Sequence, residues 1–474
     1  MYKDIARIDK SLRPYQQEAK DEIFSVWDEC DNVMFQMPTG TGKTRLFTSI
    51  ISDIKAWGIL TQNDPKILII AHRVELIEQI SENLNRYKVT HGIIAGGKER
   101  SLRPLVQVAS IQTITHRTNK DVANSLCVDF IIIDEAHHST ANSYKKLWEL
   151  YPNAKKLGVT ATPWRMNHLG FTSIYDKLIV SKSIKEFIDE GWLAPYCYYS
   201  IKDNSKIRQN ISGIDEFDIE GDYKISALER VMDKVSIRAN LLDSYMKLAK
   251  GKKGIIYSVS RKHSDHICEE YKQAGINIVR IDSETPREER RMYVQRFRSG
   301  QIDIIVNVDI FSEGFDCPDI EFIQLARPTK SLVKYLQQVG RGLRPTSGKG
   351  KCIILDNVGS HIEFDLPNAD RDWNVEFEGV PTPRKKRGPS AHLVEVESRE
   401  RNYDEGSDEL CLIDDVEGTN QKTENRYAWT TEDDNLLRTL YVERRCPVRI
   451  IAAVFGKDET SIDERIIELN LIQP

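Results

Sequence analysis

The chain has 474 residues, 40% of them hydrophobic and 29% charged, with eight cysteines and a formal net charge of −5. That length accommodates roughly three domains, and the balance is that of a globular protein able to bury a core. Several classes are set aside: a membrane span (no apolar run of about 18 residues), a signal peptide (Met1–Lys10 is polar and charged), and a disulfide or structural-zinc scaffold (no Cys-x-x-Cys pair), so a reducing cytoplasm is expected.

In chain order, Leu12-Arg13-Pro14-Tyr15-Gln16 precedes the first buried strand, Asn32–Gln36. A Gln side chain can pair in bidentate fashion with the N6/N7 edge of adenine. The strand runs into Pro38-Thr39-Gly40-Thr41-Gly42-Lys43-Thr44 and then a helix. This is where a P-loop belongs. Its glycines let backbone N–H groups curl around phosphates, Lys43 can pair with the β- and γ-phosphates, and Thr44 can ligate Mg²⁺. The general P-loop pattern asks for Gly where Met37 stands. Next come a strand at Ile67–Ala71, a helix at Val74–Tyr87, and Phe130–Ile133 followed by Asp134-Glu135-Ala136-His137. Two carboxylates beyond a buried strand lie at the sheet edge where α/β proteins bind ligands. Asp134 is suited to holding Mg²⁺, and Glu135 to orienting and deprotonating the attacking water.

A strand at Lys156–Thr160 and a helix at Ser183–Glu190 complete the first set. Tyr196–Ser226 is polar with weak periodicity and reads as a connection. A second set of strands follows at Ile255–Val259, Ile302–Val308, Phe322–Ala326 and Cys352–Asp356, with helices at Ala227–Ala249 and Pro286–Arg298. Strands alternating with helices imply parallel sheets covered on both faces. Beyond Pro367 the chain turns to Pro381-Thr-Pro383, the basic Arg384-Lys-Lys-Arg387 and an acidic stretch over Glu395–Glu417, which read as a flexible linker. From Trp429 three short amphipathic helices are expected, with Thr430 or Thr431 as the first N-cap and Thr460-Ser461 at the start of the third.

Together these residues resemble a superfamily 2 helicase of the DEAH type from Leu12 to about Gly379, and that family tolerates a residue other than Gly at Met37. The resemblance implies that Arg13 and Gln16 help select ATP. His137 with Thr160-Ala-Thr162-Pro163 would couple hydrolysis to domain movement. Ala71-His72-Arg73 with Gln79, and Ala109-Ser-Ile-Gln112-Thr113, resemble the strand-contacting motifs. Asn307 to Asp316, including Gly314, resembles motif V, with Gly314 and Asp316 on the nucleotide side. Gln337-Gln-Val-Gly340-Arg341-Gly-Leu-Arg344 matches motif VI, which makes Gln337, Arg341 and Arg344 catalytic candidates. The physical logic of motif VI stands apart from the name: Arg341 and Arg344 can place planar cations on the γ-phosphate from the second domain.

Within the superfamily, Ala-Arg-Pro328-Thr329-Lys330-Ser331 resembles XPB-like and UvsW-like DNA motors, relatives of restriction-enzyme motor subunits. Thr329 and Lys330 are therefore nucleic-acid-binding candidates with Arg73. The C-terminal stretch resembles a Myb-like or helix-turn-helix unit, although seven Lys and Arg against nine Asp and Glu over 426–474 weaken a phosphate-binding reading.

The expected fold is α/β: two RecA-like parallel-sheet domains in tandem (1–195 and 226–379) joined by 196–225. A flexible charged linker (380–425) and an all-α three-helix module (426–474) follow. The expected function is an ATP- and Mg²⁺-dependent DNA helicase or translocase, monomeric, with no membrane. DNA, single- or double-stranded, is favoured over RNA, and the C-terminal module could dock a protein. A remodeller of protein–DNA complexes and an RNA helicase remain open. Removing everything from Val380 onward is expected to leave the ATPase intact.

Overall fold

The computed structural model describes residues 2–96, 101–116, 119–308, 319–346, 349–379, 407–418, 431–443, 448, 451, 459–469 and 471. Among them the strands fall into two sheets of seven. The first comprises β1 (Asn32–Gln36), β2 (Ile67–Ala71), β3 (His91–Ile94), β4 (Val106–Ser110), β5 (Phe130–Asp134), β6 (Lys155–Thr160) and β7 (Lys177–Val180), in the order β3-β4-β2-β5-β6-β1-β7. Every pairing in it is parallel. β2, β4 and β5 are buried along their whole length. Helices cover both faces of such a sheet, so its strands read as unbroken apolar runs and do not alternate.

The second sheet comprises β8 (Tyr196–Ser200), β9 (Gly254–Tyr257), β10 (Ile278–Ile281), β11 (Ile304–Asn307), β12 (Phe322–Leu325), β13 (Cys352–Asp356) and β14 (Cys411–Asp415), in the order β10-β11-β9-β12-β13-β8-β14. It is parallel except for β14, which runs antiparallel to β8.

Three segments depart from the expected boundaries. Tyr196–Ser200, assigned to the connection, is β8, a strand of the second sheet. Its residues, Tyr-Cys-Tyr-Tyr-Ser, alternate between buried and half-buried positions, and the polar residues that follow mask it as part of a longer polar stretch. Cys411–Asp415, assigned to the flexible linker, is β14, pairing Cys411 with Ser200 along the edge of β8. Acidic side chains hide this strand from a composition reading. They are answered by Lys351, whose ammonium lies 2.7 Å from Asp415 and 2.5 Å from Glu417. The helix Trp373–Glu378, assigned to the second domain, returns to the first. Phe377 stacks on Phe171 at 6.4 Å and 16° and is buried with Ile174 and Tyr175, and the Phe171 N–H donates to the Phe377 carbonyl at 2.7 Å.

The chain forms two compact units, Met1–Ile8 with Pro14–Thr419, and Asp9–Arg13 with Asn420–Pro474. Both sheets belong to the first unit. In the second, the helices Thr431–Arg438 and Glu459–Glu468 are described, and Leu437, Ile451, Ile462, Ile466 and Leu471 bury one another. Arg465 grips Asp434 through two hydrogen bonds of 2.9 and 2.7 Å and also reaches Glu468. Most of the expected middle helix, and Trp429 with Thr430, lie outside the described residues. Among the described residues no helix is long and apolar enough to cross a membrane.

Candidate nucleotide site and the groove beside it

β5, β6 and β1 are neighbours in the first sheet, and their C-terminal ends carry the carboxylates, the Thr160–Thr162 segment and the phosphate loop respectively. Binding residues gather at that edge because the loops leaving parallel strands diverge there. Met37 extends β1 by donating its N–H to the Thr160 carbonyl at 2.9 Å, and its side chain is fully buried. A core position, not a turn position, explains why Gly is absent there.

The loop then curls through Gly40 and Gly42, at φ +90° and +92°, a region that disfavours any side chain. Thr41 Oγ1 donates to the Pro38 carbonyl at 2.7 Å. Lys43, at the head of the helix Lys43–Thr61, donates to the Met37 and Pro38 carbonyls at 3.1 and 3.4 Å. Enclosure pulls its ammonium below the usual lysine range; Glu135 and Asp134 oppose that shift, and Arg341 and Arg344 add to it. Thr44 sits in the first turn of the same helix. Gln16 is buried, and its Nε2 donates to the Thr41 and Gly42 carbonyls at 3.0 and 3.2 Å. Tyr15, which the motif reading passed over, donates its hydroxyl to the Thr41 carbonyl at 2.7 Å. The pair braces the phosphate loop from behind. Arg13 is half-buried just ahead of the helix Pro14–Val26.

Asp134 and Glu135 are both buried. Glu135 holds φ +51°, a left-handed conformation that costs a non-glycine residue about 1 kcal/mol or more and that the surrounding fold must impose. Its N–H donates to Asp134 Oδ1 at 3.0 Å. His137 Nδ1 lies 3.1 Å from Thr160 Oγ1 and 3.4 Å from Glu135 Oε2, and the Thr162 N–H donates to Thr160 Oγ1 at 3.2 Å. The coupling candidates thus form one connected set with the carboxylates.

The second domain closes on this site. The helix Leu332–Gly342 is buried along nearly its whole length, and a Cβ placed on Gly340 would stand 2.7 Å from Thr39 Cβ. A Cβ on Gly40 would stand 3.2 Å from Arg344 Cγ. Arg341 is buried and Arg344 half-buried. Both also lie close enough to Tyr257 to counter part of the rise that burial imposes on its phenol. Gln337 is buried on the same helix, and its Nε2 has no hydrogen-bond partner among the described residues. A buried donor left in that state fits an incoming polar ligand. Gly314 and Asp316 lie outside the described residues.

A cavity of about 550 Å³ is lined by Arg73 and Glu75 from the first domain and by Ser260, Arg261, Arg290 and Val308 from the second. These residues follow the C-terminal ends of β2, β9 and β11 or face them from the helix Arg287–Arg298. Two ion pairs cross between the domains there, Arg290 to Glu75 at 3.2 Å and Arg287 to Glu78 at 2.5 Å. Arg73 is exposed and Gln79 half-buried. Gln112 Nε2 donates to the His72 carbonyl at 3.1 Å, and the Thr113 N–H donates to Ser110 Oγ at 3.4 Å. Thr329 and Lys330 are drawn inward: Thr329 Oγ1 and the Lys330 N–H both donate to Asp222, at 2.9 and 2.8 Å, and Lys330 Nζ pairs with Glu363 at 3.0 Å. Burial acts to raise the Asp222 carboxyl, and Lys334 with the Lys330 N–H outweighs it, holding it below the usual carboxylate range. No sequence pattern marks Asp222, because its role depends on a contact more than 100 residues along the chain.

Residues 9–165 match the family model of the type III restriction enzyme res subunit, and residues 233–346 match the helicase conserved C-terminal domain. A 51.5 kDa protein of a Lactococcus phage (isolate 7-9) is 37% identical over 348 residues, 73% of this chain and 70% of its own length. Saccharomyces cerevisiae IRC3, assigned as an ATP-dependent helicase, is 32% identical over 435 residues, 88% of this chain and 61% of its own. The DNA 3′-5′ translocase XPB2 of Sulfurisphaera tokodaii is 26% identical over 392 residues, 76% of this chain and 84% of its own. A fragment assigned to the HsdR subunit of a type I restriction enzyme from Vibrio vulnificus shares the fold, with a TM-score of 0.60 and 23% identity over 80% of this chain and 69% of that one.

Paired parallel sheets with a phosphate loop on one and an arginine pair on the other define a two-domain ATP-driven motor. The chain belongs to the superfamily 2 helicases, with a ResIII-type first domain and a helicase C-terminal second domain. It is an ATP-hydrolysing helicase or translocase.

Proposed function

We propose that this chain hydrolyses ATP with Mg²⁺ in the cleft between its two sheets and uses the cycle to move along DNA. The observation that carries the reading is the approach of Gly340 to Thr39: it brings the end of the helix that carries Arg341, with Arg344 just beyond it, onto the phosphate loop of the other domain. Such a site is complete only when the domains meet, so each round of hydrolysis is tied to closing and opening.

In this mechanism Lys43 leaves the loop carbonyls for the β- and γ-phosphates, and Thr39 to Gly42 present backbone N–H groups. Thr44 and Asp134 suit a hard cation, one a hydroxyl and the other a buried carboxylate on a strand two places away. The cation would neutralise charge on the phosphates. Glu135 orients the attacking water and takes its proton. Arg341 and Arg344 stabilise charge on the transferring group, with Gln337 as a further donor. His137, Thr160 and Thr162 relay the state of that site to the domain interface. Gln16 with Arg13 favours adenine, and Gly314 and Asp316 are assigned to the same nucleotide.

DNA is the proposed polymer, gripped along its phosphates by Arg73, Arg261 and Arg290, with Gln79, Gln112 and Thr113 beside them. Thr329 and Lys330 support that wall through Asp222. DNA is favoured over RNA by the match to a restriction-enzyme family model and by the DNA translocase among the relatives. The C-terminal unit is proposed as a helix-turn-helix-like docking module for a protein. Arg465, the one basic residue of the helix Glu459–Glu468, is already held by Asp434 and Glu468, which lowers its value to a phosphate. The test is the ATPase rate of the full chain with duplex DNA, single-stranded DNA and single-stranded RNA. DNA should stimulate most, and stimulation by RNA alone would overturn the DNA assignment.

A further inference from the structure

The DEAH turn is followed by a second histidine, His138, which is exposed and takes no part in the roles above. Its ring lies 4.2 Å from that of His137 at 44° and 4.3 Å from that of His72 at 52°. His72 ends the stretch that begins with β2 and immediately precedes Arg73. The three rings therefore form a continuous pile. One end is His137, 3.4 Å from Glu135 Oε2. The other is His72, whose carbonyl accepts from Gln112 Nε2 at 3.1 Å, while Gln112 Oε1 accepts from Ser110 Oγ at 2.7 Å. β2 and β5 are hydrogen-bonded neighbours, so the pile runs across the sheet edge from the hydrolysis site to the groove residues.

We propose that His138 and His72 are positioning residues that transmit polynucleotide binding at Arg73 and Gln112 to Glu135. The proposal rests on the nucleic-acid reading of the groove. The argument is steric. Ring-on-ring contact at this spacing means that a shift of either turn presses on the His138 ring that lies between the other two. A residue that acts through others should change how far the polymer accelerates turnover and leave the unstimulated reaction and the grip on the polymer alone.

The experiment measures the ATPase of the full chain with increasing duplex DNA for wild type, His138→Ala, His72→Ala, the double alanine variant and His138→Phe. In His138→Ala the basal rate and the DNA concentration for half-maximal stimulation should hold. The maximal stimulation should fall about fivefold or more, the lower end of ordinary coupling between sites. The double variant should lose no more than the worse single one, because either change breaks the same pile. His138→Phe keeps the ring and should restore stimulation. Full stimulation in both alanine variants would overturn the proposal. So would a loss confined to the half-maximal concentration, which marks a direct DNA contact, or a parallel fall in the basal rate, which marks a structural role. If RNA alone stimulates the wild type, the DNA assignment fails and the same series run with RNA decides the histidine pile. Stimulation by neither polymer overturns both.

Discussion

Single substitutions at three residues separate the roles proposed for the site. Lys43→Ala removes the ammonium placed beside the phosphate loop carbonyls and the two carboxylates. It should abolish hydrolysis and weaken nucleotide binding, read by ATPase rate and by titration with a fluorescent nucleotide. Glu135→Gln keeps shape and backbone conformation and removes the base. It should bind ATP normally while turnover drops by about 10²–10⁴. Failure to bind ATP would show that Glu135 serves another purpose. Gly340→Val tests closure itself. With 2.7 Å between its added Cβ and Thr39 Cβ, the domains cannot approach as they do here. The variant should fold, bind nucleotide through the first domain and hydrolyse it at least about tenfold more slowly, since the arginine fingers typically supply about 10³–10⁵ in rate. Normal turnover would mean that the second domain does not complete the site.

At the scale of elements, β14, one of the three segments that cross expected boundaries, sets where the chain can be cut. Removing residues after Thr419 should leave the ATPase intact. Removal from Val380, which the linker-like composition invited, also strips β14 from β8 and leaves that edge exposed. This shorter chain should unfold at lower denaturant and aggregate, whereas the cut after Thr419 should not. Phe377→Ala should cost about 3–5 kcal/mol where it packs on Phe171, as deletion of a buried aromatic does. The readout is a shift in the denaturation midpoint. The helix Arg261–Gln273 supplies a pH test through His263, which is fully buried and accepts the Val259 N–H on Nδ1 at 3.3 Å. Burial brings its pKa from 6.5 to about 4, with Asp233 opposing the shift and Arg238 and His266 assisting it. Above pH 6.5 the ring is neutral in both folded and unfolded chains. As pH falls from there towards 4, the unfolded chain takes a proton that the folded one refuses, so stability is lost. The loss between pH 7.5 and 5 should be about 2 kcal/mol. His263→Asn, which keeps an acceptor for Val259, should flatten that slope in chemical denaturation.

At the scale of the whole molecule, a net charge of −5 leaves DNA affinity to the local lining of the groove. Each phosphate neutralised by Arg73, Arg261 or Arg290 releases counterions, so log affinity should fall with log salt by about 0.9 per duplex phosphate contact. Arg73→Ala and Arg261→Ala should each reduce that slope by about one contact, measured as the DNA concentration for half-maximal ATPase stimulation at several salt concentrations. A slope unchanged in both variants would place the groove elsewhere. Arg290 is a less clean probe, because it also forms the inter-domain pair with Glu75 and its loss would loosen closure.

What the sequence by itself determined is the part of the protein whose chemistry is local. Buried parallel strands need apolar runs, so β1, β2, β5 and β12 were legible. A phosphate loop needs glycines and a lysine within a few adjacent positions, so Gly40, Gly42 and Lys43 could be proposed from the sequence, as could the carboxylates at the end of β5 and the arginines after Gly340. The resemblance to superfamily 2 helicases followed from the order of those motifs. The tertiary structure decided whatever depends on contacts between distant positions. β8 pairs with β13 on one side and with β14 on the other, the latter from about 200 residues along the chain, and the polar stretches around β8 and β14 hide both strands from a composition reading. Phe377 belongs to the first domain because Phe171 offers it a buried face. Asp222 matters because Thr329, Lys330 and Lys334 converge on it. His138 joins the site only because the fold brings the His72 ring to 4.3 Å from its own. Burial and pairing at long range are paid for by the whole fold, and no window of adjacent residues records them.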